Sequence, residues 1–367
     1  MKIGVITHYY KSENYGGNLQ AYALCKVLNN MGYEAEQICL DRNKGLPLLR
    51  AMKVRLSRIK NGLDLRARGK LKQRKKAFQG FNLGVIPHSD CVYTEKTIYA
   101  CADKYDAFIT GSDQVWHPYA VCDPYLLKFA PSSKIKISYA ASIACSSLTN
   151  EQKSRYKEAM KDYKAISVRE KDAISLLDGV TPFKVETVLD PTLLLSRKDW
   201  EGLEEKAEIK EKYLFCYFLG GGVKQRRLAC EYAKRNGLRV VTLPHLLGKY
   251  RGCDKDFGDL KLYDISPNKL ISLVKNAECV FTDSFHITVF SSIFEKKHFI
   301  FEREGHKGMG SRIYTLTQMF KTEALFCDTE EKMSIEYIES VDKFEIYKGD
   351  YEAEKEKSVA FLKENLS

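Results

Sequence analysis

The sequence predicts an α/β protein of two Rossmann-like domains, each built on a mainly parallel sheet. Three observations carry that expectation. Short apolar runs alternate with longer amphipathic ones, the pattern of βαβ units. The chain has 367 residues, too many for one ordinary core. Its texture also breaks once, at Ser196 to Lys212, a polar and charged stretch with no strong strand. The expected domains are therefore 1–200 and 210–345. A charged helix, 346–367, follows and can cross back over the first domain.

Each element follows from local pattern. IGVITHYY (3–10) is the first buried strand, and Leu19 to Asn30 a helix stopped by Gly32. Ala35 to Leu40 is the next strand, and a basic helical insertion occupies about 47–80. Ala107 to Thr110 and Lys136 to Ala141 are strands. Asn150 to Tyr163 is a helix capped by Thr149 or Asn150. Ala165 to Val168 is a strand, Lys171 to Leu177 a helix, and Thr187 to Leu189 leads into Asp190-Pro191-Thr192. The second series runs through a strand at Tyr213 to Leu219, the turn Gly220-Gly221-Gly222 and a helix at Lys224 to Asn236. A strand at Leu238 to Leu243 and a helix at Pro267 to Asn276 come next. Cys279 to Thr282 is a strand, Ile287 to Phe294 a helix, His298 to Phe301 a strand, and Tyr351 to Asn365 the final helix. Two such halves facing a central cleft form the arrangement called GT-B.

Composition narrows the class. Hydrophobic residues make up 44% and charged residues 29%, as in globular proteins rather than disordered chains. No apolar run reaches the roughly 20 residues that span a bilayer. The N-terminus lacks the features of a signal peptide, so a cytoplasmic protein is expected. The eleven cysteines show no CxxC spacing, which points to reduced core residues rather than a zinc or redox motif. The net charge of +11 is concentrated: Arg50 to Lys76 holds twelve Lys or Arg and one acid, Asp64. Leu49, Met52, Leu56 and Ile59 recur there at helical spacing. The stretch fits either a solvated face or a helix held at an anionic membrane surface. Without interleaved aromatics or a nucleic-acid-binding motif it does not indicate a nucleic-acid partner.

Several polar groups fall after strand ends, where open α/β sheets bind ligands. Asn14-Tyr15-Gly16-Gly17-Asn18 opens a helix, and its amides can seat a phosphate, carboxylate or hydroxyl. The alternative is a plain strand-to-helix turn. Ser112 and Asp113 follow AFIT. Asp113 can orient or deprotonate a hydroxyl, and Trp116 can stack on a sugar; a capped helix start is the competing account. Ser284 and His286 follow the strand CVFT, with His286 suited to proton transfer near neutral pH or else packed at a cap. Arg169 and Arg312 offer planar forks for carboxylate or phosphate. Asp190 suits a turn cap as well as a ligand contact. Asp254-Lys255-Asp256 resembles a metal-binding DxD only in letters, and no metal is expected.

Taken in order, NYGGNLQAYAL, YDAFITGSDQVW, SVRE, LDPTLLL, LVKNAECVFTDSFHITVFSSIF and SRI resemble the polysaccharide pyruvyl transferase family. The likeness runs from about Met1 to Leu325. One departure stands out: Ile287 occupies the place after the SFH histidine where the family usually has Gly, which is expected to narrow the cleft or alter the acceptor. The resemblance implies a GT-B-like fold, phosphoenolpyruvate as donor substrate and no cofactor. It also implies a sugar acceptor in a cell-surface or capsular glycan or its lipid-linked precursor. It marks His286 and Asp113 as catalytic, and Asn14, Gly16, Gly17, Asn18, Ser112, Arg169, Ser284 and Arg312 as substrate-binding. These would wall the cleft, Asn14 to Asn18 and Ser112-Asp113 on one side and Ser284-His286 on the other. A glycosyltransferase using a sugar nucleotide is the alternative on the same fold.

Overall fold

The computed structural model describes residues 1–44, 65–246, 251–303, 310–341 and 344–367, with the side chains of all but 65–68 and 310–311. The apolar stripe expected at Leu49, Met52, Leu56 and Ile59 lies outside the described residues. The chain forms two compact units. The first holds the described residues up to 44 together with Gln79–Leu195 and Glu352–Ser367. The second holds the described residues from 65 to Phe78 together with Ser196–Tyr351.

The first unit is built on a seven-stranded parallel sheet in the order β3-β2-β1-β4-β5-β6-β7. Its strands are β1 (Lys2–Ile6), β2 (Glu34–Leu40), β3 (His88–Tyr93), β4 (Ala107–Thr110), β5 (Ile135–Ala141), β6 (Ala165–Val168) and β7 (Val185–Thr187). Central β1 pairs on both sides, Ile3 opposite Ala35 and Ala107. The sheet is covered on both faces, so β4 is buried along its whole length and reads as a continuous apolar run. The chain winds outward from β1 to β3 and returns to β4 on the other side of β1. That reversal leaves a crevice outside the carboxyl ends of β1 and β4.

The second unit repeats the plan with six strands in the order β10-β9-β8-β11-β12-β13. These are β8 (Tyr213–Tyr217), β9 (Arg239–Thr242), β10 (Leu260–Lys261), β11 (Cys279–Thr282), β12 (His298–Phe301) and β13 (Phe326–Cys327). Its reversal falls between β8 and β11. The core is aromatic: Phe281 packs against Tyr232, Phe299 and Phe301 with ring centroids 5.2 to 5.5 Å apart.

Four local readings change. Helix α1 (Tyr15–Asn30) starts before Leu19, because Asn14 is its N-cap and accepts from the Gly17 N–H at 3.3 Å. The Gly pair is thus its first turn, not a loop. The polar stretch that separates the expected domains begins with a helix, Arg197–Leu203, set by a Ser196/Asp199 capping box and anchored by buried Trp200 on Phe290. The basic helix α2 (Leu65–Gly84) is not only a solvated face. Arg74 is buried on Phe78, and the Lys70 ammonium lies 4.3 Å from the Tyr263 ring centroid. All eleven cysteines are free, but Cys91 and Cys230 are exposed and Cys145 and Cys253 half-buried, so only seven are core residues. The C-terminal helix Gly349–Leu366 packs on the first unit, where Ser358 accepts from the Leu189 N–H at 2.9 Å.

His298, fully buried in β12, gives a pH test of this core. Burial pushes its imidazole down to about 4, against about 6.5 when unfolded. The unfolded chain therefore binds a proton that the folded chain refuses. This contribution is fully present above pH 6.5 and is lost as the pH falls to about 4, on the order of 3 kcal/mol. Chemical denaturation from pH 7 to 4 should show the loss, and His298→Leu should flatten it. An unchanged slope in the variant would remove this histidine as its source.

Candidate functional site

In the first unit the polar residues expected from sequence converge on the carboxyl edge of the sheet. Close approach explains the glycines there. A Cβ on Gly17 would stand 2.9 Å from the His8 carbonyl oxygen and 3.4 Å from Asp113 Oδ2. A Cβ on Gly111, whose φ is +118°, would stand 2.1 Å from the Tyr139 carbonyl oxygen. Asp113 itself has φ +65° and Ala140 and Ala144 have φ near +50°, a conformation L residues adopt at a cost of about 1–3 kcal/mol. Asp113 thereby lies over the first turn of α1, where the helix dipole favours negative charge. Its side chain is 15% exposed, so a ligand hydroxyl can reach it.

Below Asp113 lies a buried ion network. Arg169 donates from Nη1 to Asp190 Oδ2 at 2.9 Å and has Asp113 at 3.9 Å and Glu170 at 4.0 Å. Burial opposes its charge, but Asp190, Asp113 and Glu170 outweigh that and hold its proton more firmly than usual. Asp190 also accepts from Ser112 Oγ at 3.0 Å and from the Thr192 N–H and hydroxyl. It is therefore both the turn cap and an ion-pair partner. Glu170 accepts from Ser142 Oγ and from the Ile143 and Ala144 N–H groups. Gln20 links α1 to this edge, accepting from the Ser112 N–H at 3.0 Å and donating to Thr7 Oγ1.

Other expected residues divide by accessibility. Asn14 caps α1, while Gly16 and Gly17 are buried in its first turn. Asn18 is fully buried and bonded to Ser12, Asn14 and Asn82, so its amide is structural. Trp116 is also fully buried, its indole N–H on the Tyr125 carbonyl at 3.1 Å. The expectation that it stacks on a sugar is therefore overturned. Sequence reasoning missed His8, Gln20 and Glu170. His8 was absorbed into the strand although β1 ends at Ile6; the E of SVRE was the one legible sign of Glu170.

In the second unit the edge is cationic. Ser284 stands at the N-cap position of the helix Phe285–Ile293 without a side-chain capping bond, and the helix's second residue is half-buried His286. Phe285 has the His286 ring at 5.2 Å and the Arg312 guanidinium at 5.9 Å, so an imidazole and a buried cation share one aromatic neighbour. Asp283 accepts from the Leu219 and Gly220 N–H groups, both at 2.6 Å, and has Arg303 at 3.8 Å. Burial raises its carboxyl pKa, against Arg303 and those N–H groups. Asp254 is held by Arg226 at 2.6 Å, which occupies one arm of the DxD-like triplet. Ile287 is buried, 1% exposed, so it packs inside rather than narrowing a cleft.

The network makes a stability test. Asp190→Ala strands the Arg169 charge in the interior and should cost about 3–5 kcal/mol, read as a lower urea midpoint. Ser112→Ala removes one neutral partner and should cost about 1 kcal/mol. Equal midpoints for Asp190→Ala and wild type would mean that the pair does not support the edge.

Comparison with known proteins agrees with this architecture. No curated protein matches the sequence. Among solved structures, the UDP-GlcNAc 2-epimerase of Methanocaldococcus jannaschii superposes with a TM-score of 0.55 at 12% identity, over 99% of this chain and 100% of that one. The Rickettsia bellii UDP-N-acetylglucosamine 2-epimerase gives 0.52 at 12% identity, over 100% and 96%. MnaA of S. aureus, in a co-structure with UDP, gives 0.52 at 11% identity, over 93% and 88%. At such identity the likeness shows the fold, two Rossmann-like units of GT-B-like type, and nothing of the reaction. The family model for polysaccharide pyruvyl transferase matches residues 14–305, spanning both strand edges described above, and the chain belongs to the polysaccharide pyruvyl transferase family.

Proposed function

We propose that this protein transfers the pyruvyl group of phosphoenolpyruvate to a sugar of a cell-surface glycan or its lipid-linked precursor, forming a cyclic ketal. The observation that carries the reading is the pairing of His286 and Arg312 about Phe285 in a chain of this family. A proton donor and a buried cation that share one aromatic neighbour suit an anionic donor that must be protonated on carbon. Arg312 is assigned to the donor's charged groups, with Ser284 as a further polar contact. Asp113 is assigned to the acceptor hydroxyl.

The chemistry balances without a redox step. His286 gives a proton to C3, which makes C2 electrophilic. One acceptor hydroxyl, its proton drawn by Asp113, bonds to C2, and the C2–O bond to phosphate breaks. A second hydroxyl then closes the ketal. Two protons leave the diol; one balances that delivered to C3 and the other leaves with phosphate. Electrostatic stabilisation and positioned proton transfer are the terms required. No described helix is long and apolar enough to cross a membrane. A lipid-linked acceptor would bring a cytoplasmic enzyme to the inner membrane face, where the basic segment gains about 1 kcal/mol per cation near anionic lipid.

Mass spectrometry of products from phosphoenolpyruvate and lipid-linked sugars should show a gain of pyruvate less water. His286→Ala should lower kcat by about 10²- to 10⁴-fold, and His286→Gln should not restore it. Arg312→Ala should raise the donor KM, with Arg312→Lys a partial rescue because it lacks the fork. Wild-type turnover in His286→Gln would move the acid elsewhere. Sugar-nucleotide consumption in place of phosphoenolpyruvate would replace the reading with glycosyl transfer.

A further inference from the structure

The first unit has a cavity of about 280 Å³ at the carboxyl ends of β1 and β2. Its wall includes Tyr10, Asp41, Arg42, Asn43, Glu95 and Tyr125. We propose that this cavity is the subsite for one neutral sugar ring of the acceptor, with Tyr119 as a stacking plate at its rim. The assignment rests on the pyruvyl-transfer reading and names where its acceptor sits.

Charge decides the ligand class. The two carboxylates of the wall, Asp41 and Glu95, are matched by Arg42 and by Lys11, whose ammonium pairs with Asp41 at 2.6 Å. His8, which also lines it, adds no cation at neutral pH: burial lowers its pKa, with Arg42 acting the same way and Asp113 opposing. A wall whose cations are already paired with carboxylates offers phosphate, carboxylate or nucleotide no free positive charge. It favours a neutral ligand rich in hydroxyls, whose O–H groups donate to the carboxylates while the Asn43 amide gives and accepts.

The cavity is also preorganised. Asp41 is fixed by Lys11 at 2.6 Å and by the Asn43 N–H at 3.0 Å. Arg42 donates to the Ala120 carbonyl at 2.8 Å, lies 5.3 Å from the Tyr125 ring centroid and has Glu95 at 4.0 Å. Polar groups already held in place lose little freedom on binding. The volume equals that of about nine liquid waters, room for one ring rather than a chain of rings. Arg42 fixes the loop that carries Tyr119, whose ring is 86% exposed next to Ala120. An exposed aromatic face beside a polar pocket can stack on the apolar face of a pyranose.

Position links the cavity to the chemistry. The His8 ring meets Tyr125 edge-on at 4.4 Å, and its Nε2 donates to the Gln114 carbonyl at 3.3 Å. Gln114 directly follows Asp113, and His8 feels the Asp113 charge. A ring in the cavity therefore lies one histidine away from the carboxylate assigned to the acceptor hydroxyl.

Saturation-transfer NMR with methyl β-galactoside, methyl α-mannoside and methyl N-acetylglucosaminide tests this, with phosphoenolpyruvate binding followed in parallel by thermal shift. At least one glycoside should bind the wild type. Asn43→Ala and Glu95→Ala should weaken it about fivefold, since each loses a hydrogen bond worth about 1 kcal/mol, and exposed Tyr119→Ala severalfold without affecting folding. The phosphoenolpyruvate response should persist in all three. No glycoside binding to wild type, or unchanged affinity in all three variants, overturns the subsite. Inorganic phosphate competing for the cavity overturns it as well. Glycoside binding that follows these variants in a protein that ignores phosphoenolpyruvate would uphold the subsite and sink the donor reading.

Discussion

The first unit depends on one buried guanidinium. Arg169 follows β6, yet its partners come from the ends of β4 and β7 as well as from its own neighbour Glu170. Through Glu170 the network reaches the loop after β5, and through Ser112 and Gln20 it reaches α1 and Thr7 after β1. Five strand ends are thus tied by ionic and hydrogen bonds in the interior. Apolar packing alone does not fix the height of loops at a sheet edge, because it is non-directional. Directional bonds do, and a buried charge makes each of them costly to lose. The network therefore sets the backbone of Gly111, Ser112 and Asp113, and with it the place of the Asp113 carboxylate.

The second unit solves the same problem with fewer charges. Asp283, after β11, receives the two N–H groups that begin the turn after β8. One carboxylate then spans the point where the winding reverses. Arg226 closes the other side of that turn, donating to the Gly222 and Gly220 carbonyls and to Asp254. The two edges end with opposite character. Around Arg169 there are three carboxylates; around Asp283 stand Arg226 and Arg303, with Arg312 and His286 on the helices nearby. Sheet topology is repeated, and the charge placed on it is not.

Much of this was legible in the sequence. Strands buried on both faces, such as AFIT and CVFT, are continuous apolar runs, and capping residues mark helix starts. What was lost had local causes. The edge strand HSDCVY is half polar and gives no continuous apolar run, because an edge strand meets solvent. The strands Leu260–Lys261 and Phe326–Cys327 have two residues each, too few for a pattern. Trp116 looked like a binding residue because the polar GSDQ before it suggested a surface, whereas the tight turn at Gly111 sends the following residues back into the core. Gln20 was invisible for the opposite reason: an amide in a helix interior looks like surface, and only the fold brings it to Ser112.

The charge pattern bears on the order of proton movements in the proposed reaction. An alkene carbon is a poor base, so protonating C3 needs an acid that has little to lose by giving up its proton. His286, which shares the Phe285 ring with Arg312, is the group placed for that step. A sugar hydroxyl is a weak acid and gives up its proton only as its oxygen bonds to carbon. Asp113 suits that step without being a strong base. It needs to lie in line with the hydroxyl, and its place over the first turn of α1 and 3.9 Å from Arg169 is fixed by the fold. The strained φ of Asp113 then has a physical use: it aims the carboxylate over Gly17, in a place where any larger residue would meet both the His8 carbonyl and the carboxylate itself.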